Sequence, residues 1–124
     1  MQRYRMNLSS STDQGIRVVT VNEARIDAAV ALAFKDQMRD EIEDGPDIVV
    51  LNLSAVDFVD SSGLGAIVAS MKTMGPGRSL ALAGLTPTVE KVFRLTRMDS
   101  VFAMYPTLDA ALAQIEHEKK AGVA

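Results

Sequence analysis

An apolar run, Ile48-Val49-Val50-Leu51-Asn52-Leu53, constrains this chain more than any other segment. It shows no alternation of polar and apolar residues, so neither face of the strand it predicts is meant for water. Such strands sit in the interior of sheets covered by helices on both sides, the usual setting of parallel α/β sheets. The segments around it fit that setting. Ala31, Phe34, Met38 and Ile42 fall close to one face of a helix predicted over 27–43, with Asp27 as its N-cap and Gly45-Pro46 as its stop. Leu64, Ile67, Val68 and Met71 recur at i, i+3, i+4 and i+7 and predict a helix over 62–73.

The same alternation continues in both directions. Ile16-Arg17-Val18-Val19-Thr20-Val21 is β-branched and strand-like. Residues 1–8 are expected to pair with it as an edge strand, through a polar turn over 9–15. Downstream, Met74-Gly75-Pro76-Gly77 is a turn, Leu80-Ala81-Leu82-Ala83 a short strand, and Gly84 permits a bend. Pro87 suits the first turn of a helix carrying Val89, Val92, Phe93 and Leu95. Val101-Phe102-Ala103-Met104 predicts a last strand, and Pro106-Thr107 opens a final helix with Leu108, Ala111, Leu112 and Ile115. The expectation is a single α/β domain over 1–124. Its sheet is mixed but mostly parallel, with four to five strands flanked by about four helices. The core spans about 14–116, and 117–124 is expected to be a mobile tail.

Composition excludes several classes of function. The 13 Lys and Arg are scattered and the net charge is −3, so neither nucleic acid nor an anionic membrane surface is an expected partner. Mean hydropathy is +0.11, and no apolar run approaches the roughly 20 residues of a membrane span. With no cysteine there is no thiolate nucleophile and no Cys-based metal site. A cytoplasmic location is the default expectation.

If strands 16–21 and 48–53 are parallel neighbours, loops 22–27 and 55–62 share one rim, where open α/β sheets place ligands and partners. Asp27, Asp57, Asp60, Ser61 and Ser62 would gather there. Catalysis fits poorly. A hydrolase elbow needs glycine two residues before its serine, and Val59 and Asp60 stand in those places. The one histidine, His117, lies near the C-terminus, which leaves no general base. No phosphate-binding Gly-rich loop is present, no metal or cofactor site is expected, and the chain is not expected to be an enzyme. Asp60-Ser61-Ser62 could be a helix cap and nothing more. Against that stand Gly63 and Gly65, each costing about 1 kcal/mol in a helix relative to alanine. Two in one turn suggest that another surface approaches the backbone. On pattern alone both readings stay open.

Asp60-Ser61-Ser62-Gly63-Leu64-Gly65, preceded by a buried strand and Asp57-Phe58-Val59, closely resembles the signature of the STAS family, and within it the bacterial anti-sigma factor antagonists. The resemblance covers about residues 14–116, including Asp27 and the Pro87-Thr88-Val89 segment with Val92-Phe93. It implies a small sheet flanked by helices that binds an anti-sigma factor with serine kinase activity. It implies that Ser61 is phosphorylated, that the phosphorylated form lets go of the kinase, and that a phosphatase restores it. Asp27, Asp57, Asp60, Ser61, Ser62, Gly63 and Gly65 would then form the partner surface. STAS domains also serve as scaffold subunits in lipid-transport, stress-signalling and transporter assemblies, the alternative expectation. One segment departs from the family pattern. Where Gly-Glu-Leu/Ile-Asp is common, this chain reads Ala24-Arg25-Ile26-Asp27, a base in place of an acid.

Overall fold

A computed structural model describes residues 5–121. Strands β1 (Leu8–Asp13), β2 (Ile16–Val21), β4 (Ile48–Asn52), β6 (Ser79–Ala83) and β7 (Met104–Tyr105) form one sheet in the order β1-β2-β4-β6-β7. Only the β1/β2 pair is antiparallel. Two short strands, β3 (Arg25–Ile26) and β5 (Phe58–Val59), pair in parallel as a separate ribbon. Helices α1 (Ala31–Glu43), α2 (Ser61–Thr73), α3 (Pro87–Leu95) and α4 (Leu108–Lys120) complete the domain.

The run at 48–52 is the central strand, and its two faces explain its composition. Val19, Leu51 and Leu82 stand side by side in register, all fully buried, in the cluster that also holds α1, α2 and α3 side chains. Val50 and Ala81 look the other way, toward Ala111 and Ile115 of α4. Phe34, Met38 and Ile42 of α1 are fully buried at four-residue intervals. On α2 the fully covered line is Gly63, Ala66, Ile67 and Ser70, while Leu64, Val68 and Met71 pack half-buried at its flank. Ser70 satisfies its buried hydroxyl by donating to the Ala66 carbonyl at 2.9 Å.

Several boundaries differ from expectation. The polar segment Ser9 to Asp13 is a strand and not a turn. An edge strand needs only backbone pairing on one side, so exposed hydroxyls do not oppose it. The turn is Gln14-Gly15, both left-handed at φ 52° and 79°, the geometry that suits a two-residue hairpin. Of the strand predicted over 1–8, Leu8 alone is strand among the described residues, and 1–4 lie outside them. Helix α1 starts at Ala31 with Val30 at its N-cap, and Asp27 does not cap it. The Asp27 side chain accepts from Ala29 N–H at 3.1 Å and its carbonyl from Val30 N–H, forming a turn before the helix. Leu95 points outward, 74% exposed, because it lies off the Val89/Phe93 face of α3. The last strand is Met104–Tyr105, not 101–104. Phe102 turns inward to meet Phe93 edge-on, with ring centroids 6.1 Å apart, after a 3-10 turn at Met98–Ser100. Residues 117–120, expected to be tail, continue α4, and 122–124 lie outside the described residues. Among the described residues no helix is long and apolar enough to cross a membrane.

Candidate functional site

The β3/β5 ribbon forms the rim beyond the ends of β2 and β4. Parallel pairing sets Arg25 opposite Phe58 and Ile26 opposite Val59. The Ala24 carbonyl accepts from the N–H of Asp57 and Phe58 at 2.7 and 3.2 Å, which brings the two loops together. The chain then turns into α2 at Asp60.

Asp60 is the N-cap of α2 and holds the rim together. Its backbone is extended (φ −96°, ψ −174°), and Oδ1 accepts from Gly63 N–H at 2.9 Å. Oδ2 accepts from Ala28 N–H at 3.1 Å, so one carboxylate joins the start of α2 to the loop leading into α1. The hydrogen bond from Gly63 N–H is the largest reason that the Asp60 carboxyl titrates below its ordinary value. Bonds from Ala28 and Ser62 N–H and the positive charge of Arg25 act the same way, against a partial loss of hydration.

Ser61 and Ser62 follow as the first residues of α2, both exposed. Neither hydroxyl makes a hydrogen bond to another described residue, so both are presented to solvent. Gly63 and Gly65, similar in sequence, have opposite surroundings. Gly63 is buried, and a Cβ there would lie 1.9 Å from the Ile26 carbonyl oxygen. The approaching surface inferred from sequence is thus this chain's own β3, and Gly63 shapes the rim from beneath without facing a partner. At Gly65 a Cβ would meet nothing within 4 Å. That turn of α2 is open.

The structure therefore brings Asp27, Asp57, Asp60, Ser61, Ser62 and Gly65 to one rim, with Gly63 under it. Asp27 accepts a charged hydrogen bond from Arg25 Nε at 3.1 Å. One contact comes to notice only here. The Arg25 guanidinium lies 4.2 Å from the centroid of the Phe58 ring, and Phe58 is 38% exposed. The sequence marks Arg25 as a departure, but pairing it with Phe58 requires the β3/β5 register. His117 lies in the last turn of α4, across the sheet from α2. Among the described residues no group of three or more His, Asp or Glu is arranged to hold a metal. What the rim offers is an exposed hydroxyl at a helix start, on a rim that also carries carboxylates and one mostly exposed cation.

Residues 7–111 match the family model described as the STAS domain. The chain is 26% identical over 101 residues to the anti-sigma-F factor antagonist RsfB of Mycobacterium tuberculosis, covering 82% of each. Among solved structures it is similar to an anti-sigma factor antagonist from Mycobacterium paratuberculosis, at 30% identity and a TM-score of 0.81, covering 90% of this chain and 94% of that one. SpoIIAA in its unphosphorylated form shares the fold at 19% identity and a TM-score of 0.71, over 90% of this chain and 97% of that one.

Proposed function

The chain belongs to the STAS family, and from that premise we propose that it is an anti-sigma factor antagonist. It binds an anti-sigma factor that is also a serine kinase, and it is switched off when that kinase phosphorylates Ser61. The observation that carries this reading is the Asp60-Ser61 pair. Asp60 commits both carboxylate oxygens to backbone N–H groups, and the Ser61 hydroxyl beside it is bonded to no other described residue. A hydroxyl held at a fixed place on a rigid helix, with no base of its own, suits an acceptor acted on by another protein. The kinase must supply the base and the ATP. The serine Oγ attacks the γ-phosphorus, ADP leaves, and the serine proton passes to the kinase.

Phosphate on Ser61 adds about −1.5 to −2 charges beside Asp27, Asp57 and Asp60. The N-terminus of α2 offsets part of that, by about 0.3–1 kcal/mol at an exposed site, so the fold survives modification. Binding does not, because a dianion would have to be desolvated in an interface shaped around a hydroxyl. Hydrolysis by a phosphatase reverses the block. Ser61→Ala is expected to bind and resist modification, and Ser61→Asp to imitate the block in part. Incubation with the partner kinase and ATP, followed by fragment mass spectrometry, tests the assignment. Phosphate on Ser62 alone would refute it. No phosphate from any kinase encoded beside this chain would point to a scaffold role instead.

A further inference from the structure

We infer that Arg25 is the internal counter-ion for a phosphate on Ser61, a latch that closes the rim over the modified serine. The inference deepens the switch proposed above and rests on it for its physiological meaning.

Arg25 is built to change partners. Of the five N–H donors of a guanidinium, only Nε–H is engaged by a described residue, the Asp27 carboxylate. The side chain is 59% exposed, so its remaining donors face water. Phe58 supplies a flat surface at 4.2 Å over which the planar group can swing while its face stays covered. When Arg25 leaves, Asp27 Oδ1 still accepts from Ala29 N–H, and Oδ2 passes from Arg25 to water at a side chain that is 22% exposed.

The competing acceptors are also defined. Asp60 accepts from Gly63 and Ala28 N–H and makes no hydrogen bond with Arg25. Arg25 lies beside Ile26, whose carbonyl accepts from Asp60 N–H at 3.4 Å, so β3 sets Arg25 next to the residue directly before Ser61. Asp57 and Asp27 carry one charge each. A phosphate carries nearly two, with three acceptor oxygens that fit a guanidinium fork. Installed on Ser61, it is the strongest anion within the rim. Arg25 then turns from Asp27 to the phosphate, pinning it against the start of α2 and removing the rim's exposed cation from any partner.

Phosphoserine incorporated at position 61 during translation tests the latch without any kinase. In 31P NMR titrations the phosphate midpoint of the Arg25 protein should lie below that of Arg25→Gln by about half a pH unit or more, and the gap should shrink near 1 M salt. Arg25→Lys, a point charge without the fork, should fall between. The Arg25 Nε–H resonance should move when the phosphate is present. Equal midpoints in the Arg25 and Arg25→Gln proteins overturn the latch. If Arg25→Gln fails to fold, the Nε–H resonance decides alone: a shift on phosphorylation supports the latch, and an unmoved signal overturns it. Failure of the kinase assay above would instead overturn the switch, so the two outcomes are separable.

Discussion

Arginines stand at both ends of this sheet, and they are used differently. At the base, Arg78 donates to the carbonyls of Ile42, Pro46 and Gly45 at 2.8, 3.0 and 3.3 Å. Arg17 donates to the Glu41 carbonyl and to Thr12 Oγ1, both at 2.9 Å. The carbonyls lie at and just beyond the end of α1, where a cation also meets the negative end of the helix dipole. Both side chains are about four-fifths covered. At the rim, Arg25 is mostly exposed and rests on one carboxylate and one ring. Cations at the base complete the backbone and have nowhere else to go. The cation at the rim satisfies no backbone group and can be reassigned, which is what a regulated surface needs.

The contrast can be broken at several points. The largest effect is expected beneath the rim. Gly63→Ala drives a methyl into the Ile26 carbonyl and should cost at least about 3 kcal/mol, the upper range for overpacking. Urea denaturation measures this, and a midpoint near wild type would mean that β3 is not held against α2. Next comes the pair of arginines. Arg78→Ala takes the side-chain donor from the Gly45 and Pro46 carbonyls and one of the donors of Ile42 and should cost about 1–3 kcal/mol, whereas Arg25→Ala should stay within about 0.5 kcal/mol. Equal losses in thermal melts would erase the distinction between the two ends.

Gly65→Ala should do the reverse of its neighbour. With open space above it, alanine improves the helix by about 0.5–1 kcal/mol, while its methyl intrudes on the partner surface proposed above. A rise in melting temperature with weaker binding to the anti-sigma factor, read by calorimetry, is the expected outcome. Unchanged affinity would move the interface off this turn. The gentlest effect concerns acid. The Asp60 carboxyl is held below its ordinary 3.8 by hydrogen bonds that exist only in the fold. Its contribution is therefore complete above that value and is lost as pH falls through the lower folded one. Urea midpoints measured from about pH 5 downward should fall more steeply for the native chain than for Asp60→Asn. Parallel curves would show that Asp60 does not tie the rim together.

Much of this was legible from residues alone, because periodicity and caps are local. The unalternating 48–52 run, the α1 face of Phe34, Met38 and Ile42, the bend at Gly84 and the Asp60 cap each follow from neighbours within a turn or a strand. So did the gathering of the aspartates and serines at one rim, since two parallel strands with known ends place their loops together. Errors fell where a distant segment competed for a group. Asp27 looked like the cap of α1, but the N–H groups of Ala29 and Val30 that it receives form a turn of their own, Asp60 ties that turn to α2 through Ala28 N–H, and the helix begins at Ala31. The serines of β1 looked like a turn because an edge strand is held by its neighbour's backbone and not by its own side chains. The sequence by itself determined the α/β order and which residues could meet at the rim. Only the tertiary structure decided that Gly63 packs inward while Gly65 stays open, and that Arg25 lies on Phe58. Those contacts depend on the register between β3 and β5, and no local periodicity encodes the alignment of segments so far apart in the chain.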